Sequence, residues 1–355
     1  MPGGASEYSA INARVRAMYS TQIKEHELTL MFEVPDFDSL IEVLKHTVYG
    51  PYLDKEKTKA LTPRRAAFQI RGHLADTYIS IIRMAPQSVH SLLAQRYRYF
   101  EVDNLKAILR GIVTGASWDR VRFVLFPLGA ETVLPAQEMM ETGNVAGAVE
   151  LLRDTPYYPT LSFAMKRYSA EQNLFPLEVA LDLNYWRERW KDVNQLAGDD
   201  RTQAVRIIGS LVDMNNLMWA IRYRVYHHLS EEELINYTLP FGYRVHDRDI
   251  RAIAAGADIA QVVKRIYPSL PDVDALLQDP HKGLPELESL LRRMVKRQCE
   301  TALTGNPFHI GVPLAYLTLS EFEVQDLVVL MEAKSAQMPY EAFRTYLMLG
   351  QSPIG

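Results

Sequence analysis

Cysteine is almost absent from this chain of 355 residues, which carries only Cys299. A single cysteine excludes an intrachain disulfide and a metal site built from several cysteines, and it suits a reducing, cytoplasmic compartment. The chain also lacks the run of about 18 apolar residues that a membrane-spanning helix needs. Its most apolar stretch, residues 121–130, is interrupted by Arg122 and Pro127. We therefore expect any attachment to a membrane to come through another protein of a complex.

The short motifs that mark common catalytic sites are missing as well. No GxxxxGK[ST] phosphate loop, no GxGxxG after a strand, no GxSxG elbow and no HExxH zinc motif is present. The N-terminus has neither a basic head nor an apolar run, so we expect no signal peptide. We predict no catalytic, cofactor-binding or metal-binding residues, although a site assembled only in three dimensions stays possible.

Composition and periodicity indicate a soluble helical protein. Hydrophobic residues make up 48% and charged residues 23% of the chain, and the net charge of −4 argues against nucleic acid as the main partner. Apolar residues recur at helical spacing between glycine and proline breaks, and no long stretch alternates with period two. We predict an all-α fold. Among its helices we expect one over 8–30, one over 64–84 behind the Thr62-Pro63 cap, and a final pair over 312–349 broken at Met338-Pro339.

A ten-residue pattern occurs three times and organises the chain. The copies are EVDNLKAILR at 101–110, DMNNLMWAIR at 213–222 and EVQDLVVLME at 323–332. The shared pattern is an acid, an apolar residue, Asx or Gln, Asx, Leu, three variable positions, an apolar residue and a charge. Positions two, five and nine fall on one helical face, so we expect Leu105, Leu217 and Leu327 to be buried at equivalent places. We call these segments the motif helices.

A second, shorter pattern keeps nearly the same period. It reads LKHTVY at 44–49, LRDTPY at 152–157 and, more weakly, VVKRIY at 262–267. One amphipathic helix with an acidic start would carry no weight, but repetition near every 111 residues divides the chain into thirds. We predict three similar helical units, over 1–115, 116–229 and 230–355.

Several of these segments resemble the C/d subunit of rotary V-type and A-type ATPases, the AC39 family. The resemblance lies in NPFHIGVPLAYL at 306–317 followed by EVQDL and MEAK, in YFEVDNL at 99–105, and in TVYGPYL at 47–53. INARVRAM at 11–18 resembles the start of prokaryotic members. Together and in order, these segments cover essentially the whole chain.

The resemblance implies a non-catalytic central-stalk socket. Its three units would form a funnel around a pseudo-threefold axis, with the narrow side on the membrane proteolipid ring and the open side receiving the central stalk. Such a protein would couple the stalk to the ring during proton or sodium transport. It would be a peripheral protein on the cytoplasmic face of the membrane, without cofactors or nucleic acid.

Position ten of the motif breaks the threefold pattern of charge, since Arg110 and Arg222 are matched by Glu332. In one interpretation each arginine only complements the negative C-terminal end of its helix, and the glutamate has a local partner. In the other, Arg110 and Arg222 approach the funnel axis and present charge to the stalk or the ring. The sequence leaves both interpretations open, and the arginines are our only candidate interface residues.

Two other classes of function stay open. A helical-repeat scaffold could bind an unrelated partner through a concave face, although solenoid repeats of about 20–45 residues are much shorter than these units. An α-helical enzyme would need a pocket in which titratable groups converge.

Overall fold

In the computed structural model, which describes residues 3–54, 61–227 and 229–348, every regular element is a helix. No strand occurs in these ranges, so the predicted all-α fold is confirmed. Among the described residues before 115, seven helices occur. Their bounds are α1 Gly3–Tyr19, α2 Glu25–Glu33, α3 Phe37–Lys45, α4 Gly50–Leu53, α5 Pro63–Met84, α6 Gln87–Tyr97 and α7 Tyr99–Val113.

The middle of the chain continues with six α-helices and one short 3₁₀ helix, Gly129–Glu131. The α-helices are α8 Trp118–Val121, α9 Ala136–Glu141, α10 Val145–Glu150, α11 Tyr158–Glu171, α12 Phe175–Gln195 and α13 Gly198–Arg222. The described helices that follow are α14 Glu231–Asn236, α15 Asp247–Ala254, α16 Ile259–Ile266, α17 Val273–Gln278, α18 Pro280–Thr304, α19 Gly311–Ser335 and α20 Tyr340–Phe343. The three motif segments therefore lie in α7, α13 and α19.

Local chemistry accounts for several helix ends. The Thr62 hydroxyl accepts from the Arg65 backbone N–H ahead of Pro63, as the sequence predicted. The predicted helix over 8–30 is wrong, because the chain leaves helical geometry after Tyr19 and resumes at Glu25. There the Ser20 and Thr21 hydroxyls donate to backbone carbonyls three residues earlier, which competes with continued helix. The end predicted at Leu349 lies outside the described residues.

The core consists of two hydrophobic clusters. The smaller one gathers buried side chains between Val102 and Leu181 around α7. The larger one joins helices α1 to α6 with residues from α12 onward, so the beginning and the end of the chain share one core. In it α19 packs against both α18 and α5, and α13 packs against α12 and α18. Helix α12 contributes to both clusters, because Leu177 and Leu181 face one and Val179 and Leu183 face the other.

The acid that opens the first motif copy is buried and joins to the second repeated pattern. Glu101 is 1% exposed. It accepts from the Tyr157 hydroxyl at 2.6 Å, from the Thr132 hydroxyl at 2.7 Å and from the Val133 N–H at 2.6 Å. A buried carboxylate with three donors has the hydrogen bonds that its burial requires. Tyr157 is the tyrosine of LRDTPY, so the two repeated patterns meet here.

The second copy repeats this arrangement with more backbone donors. Asp213 accepts from the N–H groups of residues 243–245 at 2.7–3.1 Å, and from the Tyr267 hydroxyl at 3.4 Å. Gly242 precedes this loop, and a Cβ there would lie 2.1 Å from Asp213 Oδ1. Only glycine therefore lets the loop wrap this closely around the carboxylate.

The third copy takes its tyrosine from the other end of the chain. Glu323 accepts from the Tyr49 hydroxyl at 2.6 Å and from the Ile23 N–H at 3.1 Å, across 274 and 300 residues. Each motif acid is thus paired with the tyrosine of one copy of the second pattern. We call these pairs the acid–tyrosine couples.

Position four of the motif fixes a second piece of backbone in each copy. Asn104 donates to the Phe126 carbonyl and accepts from the Phe126 N–H. Asn216 makes the same two bonds with Leu239, and Asp326, which has no donor when ionised, accepts from the Met348 N–H. The separations are 22, 23 and 22 residues. Motif position four therefore holds the segment that follows each motif helix.

The three motif leucines are buried as predicted, and each has no exposed surface. We expect Leu→Ala at 105, 217 or 327 to lower the free energy of unfolding by roughly 2–5 kcal/mol, through lost burial and the cavity left behind. Urea unfolding of each variant measures this. Val113→Ala, on an exposed side chain of α7, is the matched control, and a leucine variant as stable as that control would contradict the equivalence of the three sites.

The Glu323 couple predicts a dependence of stability on pH. Burial raises the pKa of Glu323 from 4.5 to about 7. The folded chain holds this proton more tightly than the unfolded chain. The protonated Glu323 carboxyl group therefore contributes to the free energy of unfolding in full below pH 4.5, and this contribution is lost as the pH rises through 7. Glu323→Gln, neutral and still able to accept from Tyr49, should match the wild type below pH 4.5 and exceed its free energy of unfolding near pH 8.

Unfolding in urea across this pH range measures the difference between the two proteins. Glu332→Gln on the same helix, at an exposed side chain, is the control. A Glu323→Gln variant that is less stable than the wild type at every pH would show that the ionised carboxylate is the form that the fold requires.

Candidate partner interface

One face of the motif helices is only partly buried, although its apolar residues Ala107, Trp219 and Val329 pack against the edges of the core. Positions three, seven and ten are half-buried or exposed in all three copies, whereas positions one, four, five and nine are buried. The face consists of Asp103, Ala107 and Arg110 on α7, Asn215, Trp219 and Arg222 on α13, and Gln325, Val329 and Glu332 on α19. We call it the motif face. Its polar and apolar side chains therefore keep part of their surface exposed to solvent.

Arg110 lies on this face and forms an ion pair that its sequence position did not predict. Its Nε and Nη2 atoms donate to the two carboxylate oxygens of Glu178 on α12, at 2.5 and 2.8 Å. The arginine side chain is 61% exposed and the glutamate 20%. Hydrogen bonding to Glu178 raises the pKa of Arg110. The bidentate geometry fixes the guanidinium in one orientation while most of it faces solvent.

Arg222 forms the corresponding pair with Glu288 on α18, at 2.5 Å. Glu178 lies 68 residues after Arg110, and Glu288 lies 66 residues after Arg222, so the ion pair recurs at nearly the same spacing in the two copies. Glu332, at position ten of the third copy, forms no side-chain ion pair with the described residues. The local partner expected for it is therefore not found in that part of the chain. Position ten offers two paired arginines and one exposed glutamate.

Lys106, which follows Leu105, places a positive charge among carboxylates beside the motif face. It is buried, and its Nζ atom lies 2.8 Å from Asp103 and 2.7 Å from Asp182. Burial by itself would lower the pKa of Lys106, but the two carboxylates outweigh burial and raise it. The equivalent residues Met218 and Val328 are apolar. The motif faces therefore share one architecture and differ in charge.

Two copies of the motif face border one cleft. A cleft of about 300 Å³ lies among α5, α7 and α19, and its lining includes Asp103, Arg110, Glu321 and Gln325. Arg71 of α5 also lines it and donates to the Val124 carbonyl at 2.9 Å. Arg222 is not among the lining residues, so the structure does not bring the two candidate arginines into one cleft. Charges of both signs around a shallow opening can orient a charged partner surface.

The same residues offer no obvious reaction chemistry. Within the described ranges, no group of three or more His, Cys, Asp or Glu side chains converges as a metal ion would require. No helix in the described part of the chain is long and apolar enough to cross a membrane.

Comparison with known proteins gives a consistent match along the chain. Residues 11–346 match the family described as ATP synthase (C/AC39) subunit. The C subunit of the A-type ATP synthase of Methanocaldococcus jannaschii is 25% identical over 345 residues, which cover 96% of this chain and 86% of that protein. Its counterpart in Methanothermobacter thermautotrophicus is 24% identical over 91% of this chain and 83% of that protein. The one from Archaeoglobus fulgidus is 22% identical over 98% of each.

The family match begins at the INARVRAM segment and ends beyond the third motif helix, so it includes all three motif copies and all three tyrosines of the couples. The resemblance noted from short segments is confirmed over the whole region that they span: the chain belongs to the ATP synthase C/AC39 subunit family.

Proposed function

We propose that this protein is a non-catalytic socket of a rotary A/V-type ATPase. It would seat the central stalk on the membrane proteolipid ring and transmit rotation between them while protons or sodium ions are transported. Three units, over 1–115, 116–229 and 230–355, would surround a pseudo-threefold axis as a funnel. The family match and the relatives, which are named as C subunits of A-type ATP synthases, support the assignment to such a complex.

The single observation that carries the socket is the cyclic order of the acid–tyrosine couples. With these unit boundaries, Glu101 of unit one pairs with Tyr157 of unit two, and Asp213 of unit two pairs with Tyr267 of unit three. Glu323 of unit three pairs with Tyr49 of unit one. Each unit is thus bonded to the next and the last to the first. That order is expected of units closed around an axis, whereas a solenoid would leave its first and last units unpaired.

A closed arrangement of the three units would favour the transmission of torque by this protein. A twisting load on an open array concentrates at its free ends, whereas a closed set of three distributes the load over three equivalent junctions. The junctions are buried, and each contains a charge-assisted or hydroxyl hydrogen bond in a packed core. In this proposal the protein is peripheral, on the cytoplasmic face of the membrane, and holds no cofactor.

The motif face would supply polar contacts to the stalk or the ring. Charge complementarity at an interface sets orientation and encounter rate more than affinity. The pattern of two arginines and one glutamate at position ten has no threefold symmetry, and a stalk foot without threefold symmetry could be oriented by it. Arg110, exposed and held rigidly by Glu178, is the strongest candidate contact.

The ion pairs allow a test that separates folding from partner recognition. We exchange the charges within each pair, as Arg110→Glu with Glu178→Arg and Arg222→Glu with Glu288→Arg in one protein. The intrachain pairs persist in reversed order, so the free energy of unfolding should stay close to that of the wild type, while the charge shown on the motif face is inverted. We expect binding to the purified stalk or ring to weaken roughly tenfold and to become less sensitive to salt.

A protein carrying only the Arg110→Glu and Arg222→Glu changes serves as the comparison, since it also places like charges beside Glu178 and Glu288. If the charge-exchanged protein assembles with unchanged affinity and salt dependence, the arginines serve only the intrachain pairs. The contacts with the partners would then lie elsewhere on the protein.

A further inference from the structure

A second cleft, away from the motif face, is lined by several hydrogen-bond donors together with two carboxylates, Glu188 and Asp192. It has a volume of about 420 Å³ and lies where α6 and α7 meet α11 and α12, beside the Tyr157 end of the first couple. Its lining combines two arginines, Arg98 and Arg189, with the side chains of Gln95, Asn184 and Thr160. Guanidinium, amide and hydroxyl groups are hydrogen-bond donors, so an acceptor-rich ligand would find several partners here.

Arg189 is a buried cation without adequate compensation. It is 2% exposed, and its Nη1 atom donates to the Leu92 carbonyl at 2.6 Å. Its Nε atom is buried and has no hydrogen-bond partner. The nearest carboxylate, Asp192, is 3.9 Å from Nη1, beyond hydrogen-bonding distance. The Tyr185 ring, 4.9 Å from the guanidinium, offsets only part of the charge. Burying a guanidinium costs free energy unless an opposite charge and hydrogen-bond acceptors compensate for the lost water. Here the Nε donor has no acceptor and the positive charge is only partly compensated.

The other charges around the cleft do not neutralise it. Arg98 is exposed at the cleft and forms no ion pair within the described part of the chain. Glu188 is engaged with Lys191 at 2.6 Å. Asp192 is the remaining carboxylate, and burial raises its pKa. Around the cleft the cations Arg98, Arg189 and Lys191 therefore outnumber the carboxylates Glu188 and Asp192 by one.

The repeat shows that the fold itself does not need a cation at this position. Tyr157 and Glu178 recur 110 residues later as Tyr267 and Glu288, and the same offset takes Arg189 to Cys299. Cys299 is fully buried and carries no charge. A small neutral side chain thus stands at the corresponding position of α18, so the buried charge on α12 calls for a separate explanation.

We propose that this cleft, which we call the Arg189 cleft, binds a phosphate-type oxyanion, either free or at the end of a small organic molecule. A tetrahedral dianion can accept from both guanidinium groups and from the amides, which a planar monoanion does less completely. The remaining walls, Pro156, Pro159, Leu181 and the Tyr157 and Tyr185 rings, are apolar enough to cover an attached organic group. Because the cleft touches α6, α7, α11 and α12, bound anion would brace the junction between the two hydrophobic clusters.

The test uses the full-length protein with two probes, inorganic phosphate and phenyl phosphate, each titrated against the same ionic strength of chloride. Calorimetry gives the affinity, and the Nε resonance of Arg189 in a ¹⁵N correlation spectrum reports contact at this site. We expect saturable binding in the millimolar range or tighter, with a shift of that resonance. Arg189→Met should weaken binding at least tenfold. Tighter binding of phenyl phosphate identifies an organic phosphate as the ligand class, and equal binding identifies the free anion.

The controls keep the result independent of folding and of general salt effects. Arg187→Gln, on an exposed side chain of the same helix, should bind like the wild type. Arg98→Gln, also exposed, should weaken binding without loss of helicity, and it decides the matter if Arg189→Met does not fold. Absence of saturation at tens of millimolar, or binding that neither arginine substitution weakens, would overturn the proposal and leave Arg189 as a residue that only ties α12 to the Leu92 carbonyl.

Discussion

The burial of one carboxylate at the start of each motif helix constrains much of the rest of the molecule. A carboxylate in a protein core must receive hydrogen bonds or lose its charge. Here each acid collects a tyrosine hydroxyl together with backbone N–H groups of a loop that lies outside its own helix. To supply those donors, remote pieces of chain must come to the motif helix. The acid therefore fixes long-range topology, while the leucines beside it supply the apolar contact that makes the packing stable.

Some of this architecture could be predicted from the sequence and some could not, for physical reasons. Helices, their spacing and the burial of Leu105, Leu217 and Leu327 follow from a period of 3.6 and from repetition. Both halves of each acid–tyrosine couple were visible as repeated patterns. Their pairing was not, because spacing within a chain does not say which copy meets which. The Tyr49–Glu323 contact spans 274 residues and could only be seen once the chain was folded.

One local error and one contact that the sequence did not suggest have equally concrete causes. The break after Tyr19 depends on Ser20 and Thr21 hydroxyls turning back to the backbone, a competition that apolar periodicity does not register. At Arg110, neither of the two interpretations of the sequence included Glu178, which lies on a different helix. The two glutamates recur at the same offset as the tyrosines, so a search for charges that repeat together could have found these pairs. The buried Arg189 carried no such signal, because it has no charged counterpart in the third unit.

Comparison among the three copies separates two kinds of position within the chain. Where all copies agree in chemistry, as in the acids, the Asx residues and the leucines, the side chain has a partner inside the protein and its role in the fold is complete. Where the copies differ, as in the two arginines against Glu332, Lys106 against Met218, or Arg189 against Cys299, the fold accepts either chemistry. An uncompensated charge at such a position has no stabilising partner within the described chain, and its desolvation opposes folding. The two arginines and Lys106 offset that cost with carboxylates of the same chain, whereas Arg189 has only Asp192, at 3.9 Å.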